Sequence, residues 1–524
     1  MPRDPYLLYR VKNVNKGLNT YKDVTLLDDE EVAAVSNMDF DFPGKARQRA
    51  GYERVGNEIS ASFKPLGLGR LKIQSNGNDY LVVKVNTTFY YLEDSSTSTW
   101  TAIAGVYNAS ESTFDVYNDK LYVYNATDDL LEWTGSGAFT AYAAAPKGKF
   151  GKIYQNRGYI AGVPGNPSTL YYSVYGDVKD FAGGGSGAIL VNKNDGSAIT
   201  GLGISEGKLL VHKASGGVYE VSFDSSAPPA PSTTPLTSAY EGAIRHQTIS
   251  KFENQSIYLA SDSVRSIGQD AYYPVSQRDG EVSLNIRPDI LNLQSNFVNT
   301  ASACYEDNKY YLAVPVNQNV HNDVVYTFAY EAWSRYDNVF AYAFIKWNGY
   351  LHFFDSRKAQ MYRFNPAVKS DDGEAINSYI QTKAFHLSDE ANRKQLLGIN
   401  VRQRADQGTS VLINYAPDLG DFADGMSASP TTESIEAGAP APAFGSYLGG
   451  FGSYSLPFAG SGAIAEGTIF MNYRYSFKNH ATYAQIQFQH TSINYTWELI
   501  SFDIVFSSTP WHDWVDINTE KVYQ

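Results

Sequence analysis

The stretch Val116-Tyr-Asn-Asp-Lys-Leu-Tyr-Val-Tyr124 decides how the chain is read. Strand-forming aromatic and aliphatic residues flank a polar Asn-Asp centre, the chemistry of a tight turn between two strands. A third strand, Leu130-Leu-Glu-Trp133, follows a short polar gap. The same unit recurs on both sides. Upstream, Lys72-Ile-Gln-Ser-Asn-Gly-Asn-Asp79 leads into Tyr80-Leu-Val-Val-Lys-Val85. Downstream come Ile153-Tyr-Gln-Asn-Arg-Gly-Tyr-Ile160, Ile204-Ser-Glu-Gly-Lys-Leu-Leu-Val211 and Phe252-Glu-Asn-Gln-Ser-Ile-Tyr-Leu259. Tyr305-Glu-Asp-Asn-Lys-Tyr-Tyr-Leu312 and Trp347-Asn-Gly-Tyr-Leu-His-Phe-Phe354 complete the series. The turn centres near 78, 118, 156, 206, 253, 307 and 348 are spaced by about 45 residues, the length of a four-stranded propeller blade. One blade cannot bury both faces of its sheet, so the units must pack radially. The pattern predicts an all-β fold with a β-propeller of six or seven blades over 56–368. Unrelated hairpins in sandwich domains are the rival reading.

Composition agrees with strands. Aromatic residues make up 14% of the 524 residues, with 40 Tyr and 27 Phe, and 43 Gly and 21 Pro supply turns. Only Asp28–Ser36 carries a weak helical spacing. The Pro-rich run Ser225-Ser-Ala-Pro-Pro-Ala-Pro-Ser-Thr-Thr-Pro235 reads as an extended surface loop between blades, because its prolines forbid central-strand pairing. Beyond Asn365 the strands lengthen, at Ile376–His386, Lys394–Tyr415, Tyr473–Gln489 and Trp497–Phe506. We read 369–524 as a second, sandwich-like β domain. A long Gly-rich insertion, 437–467, interrupts it and is either mobile or ordered by a neighbouring subunit.

Charge and chemistry narrow the function. The net charge of −13 makes the chain a poor gripper of nucleic acid, since tight phosphate binding comes from Lys and Arg displacing counterions. Cys304 is the single cysteine, which rules out an intramolecular disulfide and fits folding in a reducing cytoplasm. The start Met1-Pro-Arg-Asp-Pro-Tyr6 lacks the apolar core of a signal peptide, and no apolar run is long enough for a membrane anchor. The eight histidines are scattered without metal-binding spacing, and His352 on an aromatic strand reads as structural. No nucleophile elbow, phosphate loop or complete calcium loop occurs. The residues therefore predict no catalytic site, no metal and no cofactor. Because propellers can carry paired carboxylates, an extracellular carbohydrate-binding or glycoside-hydrolysing propeller stays open as the alternative.

The segment before the propeller is the most specific. Gly17-Leu-Asn19 precedes Asp28 and Glu30, then Asn37-Met-Asp-Phe40, then Arg47-Gln-Arg-Ala-Gly-Tyr52. This order resembles the opening of nozzle proteins, or tail tubular protein B, of short-tailed bacterial viruses. Tyr330-Glu-Ala-Trp-Ser-Arg-Tyr336, Trp347–Asp355 and Met361-Tyr-Arg-Phe364 resemble that family's last blade, and Ile380-Gln-Thr-Lys383, Lys394 and Val411–Asp418 resemble the segment after it.

The resemblance implies a structural virion subunit of the viral tail, assembled in the host bacterial cytoplasm. It implies a homo-hexamer docked beneath a dodecameric adaptor ring (the head-tail connector) under the portal. The partners would be tail fibre or spike proteins, and viral DNA that passes during genome ejection without specific binding. Six copies would carry about −78 charges, a wall on which DNA would find few cations to hold it. Residues 1–55 become an N-terminal docking segment. Asp28, Asp29, Glu30, Glu31, Asn37, Asp39, Arg47 and Arg49 become candidate assembly contacts.

Overall fold

The computed structural model describes residues 7–42, 44–94, 99–226, 228–236, 239–252, 254–269, 277–293, 298–316, 320–387, 393–405, 410–419, 433–436 and 469–508. The insertion at 437–467 lies outside them. The chain forms two compact units, Arg54–Thr327 with Asp337–Phe364, and Met1–Glu53 with Phe328–Tyr336 and Asn365–Gln524.

Among the described residues the first unit is a β-propeller of seven antiparallel blades. Their innermost strands are Pro65–Lys72, Thr113–Tyr117, Phe150–Tyr154, Ile199–Ser205, Ser250–Phe252, Ser302–Glu306 and Ala341–Trp347. Each innermost strand touches the next, and the seventh touches the first, so the sheets run around a closed circle. The turns do what their residues dictate. Asn118-Asp119, Gln155-Asn156, Asp307-Asn308 and Asn348-Gly349 all hold both central residues at positive φ, the two-residue hairpin geometry that matches strand twist.

Apolar wedges fill the space between blades. Leu71, Val82 and Phe89 of blade one pack on Leu121, Val123 and Trp133 of blade two. Leu170 and Tyr159 of blade three meet Leu209 and Val211 of blade four. Phe252 and Tyr305 join blades five and six with ring centroids 4.7 Å apart, and Tyr311 meets Phe344 of blade seven at 5.8 Å. The circle closes where Leu81, Val83 and Trp100 pack on Trp347, Phe354 and Met361, and where Arg70 donates to the Lys346 carbonyl at 2.8 Å. Gly51–Ser60 supplies the outermost strand of blade seven, so the earliest propeller strand finishes the last blade.

The Pro-rich run is partly a strand. Pro231–Pro235 is the outer edge of blade four, paired with Gly217–Phe223, a position where prolines cost no ladder bonds. Arg157 pins the approach to it, donating to the Ser173, Gly185 and Pro229 carbonyls at 2.6, 2.8 and 3.1 Å.

The second unit is a sandwich. One sheet holds Leu7–Val11, Met38–Phe42, Lys45–Gln48, Lys394–Ala405, Ile469–Ala481 and Trp497–Ser508. The other orders Ala332–Asp337, Gly17–Leu18, Glu31–Ser36, Ser378–Phe385, Ala484–His490, Ser410–Pro417 and Glu433–Glu436. Their inner faces meet through Phe502, 5.9 Å from Phe385 and 5.3 Å from Phe488. Two expectations change here. Residues 1–55 are not a separate docking segment, because their strands are built into both sheets. Asp28–Ser36 is not helical, since Glu31–Ser36 lies between Gly17–Leu18 and Ser378–Phe385, and pairing on both sides outweighs the local spacing.

Candidate functional site

The residues expected at an assembly contact all fall in the sandwich unit, and burial divides them. Arg49 is 2% exposed, and its guanidinium donates to both Asp371 oxygens at 2.8 and 2.5 Å. The Tyr336 and Tyr52 rings lie 5.4 and 5.9 Å from its Cζ. Asn37, at φ 56°, accepts from Arg49 Nε at 2.8 Å and donates to the Asn377 carbonyl at 2.6 Å. Asp39 is buried and accepts from the Tyr336 hydroxyl, while Ser334 donates to the Met38 carbonyl. Arg47 pairs through its backbone with Asp39 and Glu498.

Glu31 is buried as well. It accepts from Asn19 at 2.7 Å, from Lys22 at 3.0 Å and from the Asp28 backbone at 2.8 Å. The two motif glycines are set by close approach. A Cβ on Gly17 would sit 2.5 Å from the Trp333 carbonyl oxygen, and one on Gly51 would sit 2.3 Å from that of Ser370.

Glu31, Asn37, Asp39 and Arg49 are therefore internal joints, not outward contacts, because their polar atoms are already satisfied within the chain. Of the acidic run, Asp28 and Glu30 face solvent, with Asp28 2.9 Å from Lys16, and Asp29 accepts from Tyr9 and Lys383 at 2.7 and 2.9 Å. Sequence reasoning missed Asp371. The available signal was Arg49 itself, an arginine between strand residues that would need a buried carboxylate.

The propeller carries a different kind of site. At the mouth where the inner strands begin, a cavity of ≈ 250 Å³ is lined by residues of blades one, two, six and seven and of the segment leading into blade five. Glu111, just before blade two, pairs with Arg245, just before blade five, and so joins two non-adjacent blades at the mouth. Arg245 also donates to the Ala301 carbonyl at 2.8 Å, and Tyr342 donates to Glu111 at 3.3 Å. Burial, then the Glu111 charge, pushes the Tyr342 hydroxyl well above its ordinary pKa. Asn322, fully buried, holds the wall by donating to the Thr300 and Ala341 carbonyls at 2.9 and 2.7 Å. Burial and the neighbouring Arg357 lower the pKa of His321. No signal marked Glu111 and Arg245 in the sequence, since 134 residues separate them.

Three propeller histidines, His212 and His352 buried and His246 partly so, serve the fold. Burial pushes His212 and His246 down to about 3 and His352 to about 4, so all three are neutral. The Nδ1 atoms of His212 and His246 accept from the Ala243 and Leu202 backbones at 3.3 and 3.2 Å. Among the described residues no cluster of His, Cys, Asp or Glu could hold a metal, and no helix is long and apolar enough to cross a membrane.

No family model and no curated protein matches the chain. Solved structures do. BamB from Moraxella catarrhalis aligns with 10% identity and a TM-score of 0.38, over 61% of this chain and 98% of its own. BBS1N, solved in complex with ARL6DN, aligns with 8% identity and a TM-score of 0.39, over 60% and 97%. An exo-β-1,3-galactanase from Phanerochaete chrysosporium aligns with 10% identity and a TM-score of 0.26, over 87% and 100%.

Proposed function

We propose that the chain is a structural subunit of a bacterial virus tail, a nozzle-type protein that works as a ring of six copies beneath an adaptor ring. One observation carries this reading. Most of the stretches on which the family resemblance rests, 17–19, 37–40, 47–52, 330–336, 380–383, 394 and 411–418, lie far apart in sequence yet share one compact unit, while 347–355 and 361–364 belong to the propeller. Several are bonded directly, as Gly17 is to Trp333 by strand pairing and Asp39 to Tyr336 by a hydrogen bond. Motif residues that jointly build one interior are what a shared architecture requires.

The propeller axis is not the conduit in this reading. Glu111 and Arg245 join non-adjacent blades two and five at the mouth, and side chains that meet across it leave no opening wide enough for a duplex. DNA would travel between subunits, past surfaces whose summed charge is negative, and would slide because few cations arrest it. The role needs no enzyme chemistry. Glycoside hydrolysis at the mouth finds little support, since Glu111 is the one carboxylate among the lining residues and it is already paired.

Sizing the purified chain alone and with a candidate adaptor ring tests the proposal. A sixfold ring that forms on the adaptor is the expected result. A chain that stays monomeric beside every adaptor tried, or a lone monomer that cleaves oligosaccharide, overturns it.

A further inference from the structure

We infer that the mouth of the propeller binds a small hydroxylated anion of the sugar-acid class. The cavity of ≈ 250 Å³ lies just below the usual range of ligand pockets, so it takes one ring and not an extended chain. Its walls are pre-formed, because Asn322 is locked by three hydrogen bonds and the Ser356 hydroxyl donates to its carbonyl at 3.0 Å. Ordered walls spare a ligand the cost of arranging them.

The chemistry of the lining selects the class. Among the lining residues two cations, Lys64 and Arg245, stand against one carboxylate, Glu111; next to them Arg357 is paired with Asp355, and Asp323 also acts on His321. Lys64, Asn299 and the His321 ring nitrogens make no hydrogen bond within the described residues, so each can serve a ligand. A neutral imidazole both donates and accepts, and an amide does the same, which suits hydroxyl groups. Leu66 and Val320 offer apolar surface for the C–H face of a ring. A carboxylate near Lys64 and hydroxyls toward Asn299 and His321 would use every one of these groups. The inference stands apart from the ring proposal, and either can fail alone.

Ligand-observed NMR and calorimetry on the full chain test it, with glucuronate as the probe and glucose and inorganic phosphate beside it. Saturable glucuronate binding is expected, tighter than glucose by about fivefold or more, on the order of 1 kcal/mol. Lys64→Ala should weaken glucuronate by a similar factor, and Glu111→Gln should strengthen it by removing the opposing charge. Should Glu111→Gln fail to fold, Lys64→Ala and Asn299→Ala at the rim decide the question. Equal binding of glucose, tighter binding of phosphate, no saturable binding, or full affinity in Lys64→Ala would each overturn the inference.

Discussion

The propeller and the sandwich are both built from strands, yet they are joined in opposite ways. Between blades the contacts are apolar and repeated, as where Trp133 packs among Tyr80, Tyr91 and Phe139. Within the sandwich the decisive joint is polar, singular and long-range, since Arg49 and Asp371 are 322 residues apart. A repeated apolar interface spreads its energy over many small contacts. A buried ion pair concentrates it, because losing one partner strands the other charge.

Among single substitutions Arg49→Ala should have the largest effect. It leaves Asp371 buried and unpaired, a loss of about 3–5 kcal/mol. Urea unfolding with proteolytic mapping should show residues 7–53 and 365–508 opening first while 54–327 resists. Simultaneous opening of both would break the contrast.

Acid should reverse the order. His212, His246 and His352 all belong to the propeller, and their folded pKa values of about 3, 3 and 4 lie below the unfolded value near 6.5. The stability they permit is fully present above that value and is lost as pH falls toward 4, because the unfolded chain takes protons the fold refuses. Each adds a slope of about 1.4 kcal/mol per pH unit. Melting from pH 7 to 4.5 should therefore weaken the propeller, and His212→Gln should flatten the dependence. An unchanged slope in that variant would count against the assignment.

Gly17→Ala comes next. It combines φ 72° with a clash against backbone, and about 2 kcal/mol is expected. A drop in melting temperature confined to the sandwich checks it. Smallest is Asp28→Ala, which removes an exposed pair with Lys16 and should cost below about 1 kcal/mol. The chemistry is the same as at Arg49 and only the burial differs, so a large loss of stability here would refute the role given to burial.

The two regions also differed in how much their sequence disclosed. Each blade is local, and turns such as Asn118-Asp119 and Asn348-Gly349 announce themselves because few residues accept positive φ. Those centres left the count at six or seven, and the contact of blade seven with blade one, which decides it, is not local. In the sandwich the strands were visible but their partners were not. Nothing local tells Gly17 that it will lie parallel to Trp333, or Val32 that it faces Thr382. Asn37, Asp39 and Arg49 were expected to face outward and instead bind their own chain. The Glu111–Arg245 pair was invisible for the same reason, being a product of closure.

The strand borrowed by blade seven bears on biosynthesis. Gly51–Ser60 leaves the ribosome about 300 residues before Ala359–Asn365, a wait on the order of 15–60 seconds at bacterial and eukaryotic translation speeds. Throughout that interval it is an orphan edge in a crowded nascent chain. Glu53, Arg54 and Glu58 make it a poor template for wrong partners, since charge on an open edge discourages pairing. The final latch thus belongs to a late stage of translation, and a ribosome stalled before residue 359 would hold six blades with no clasp.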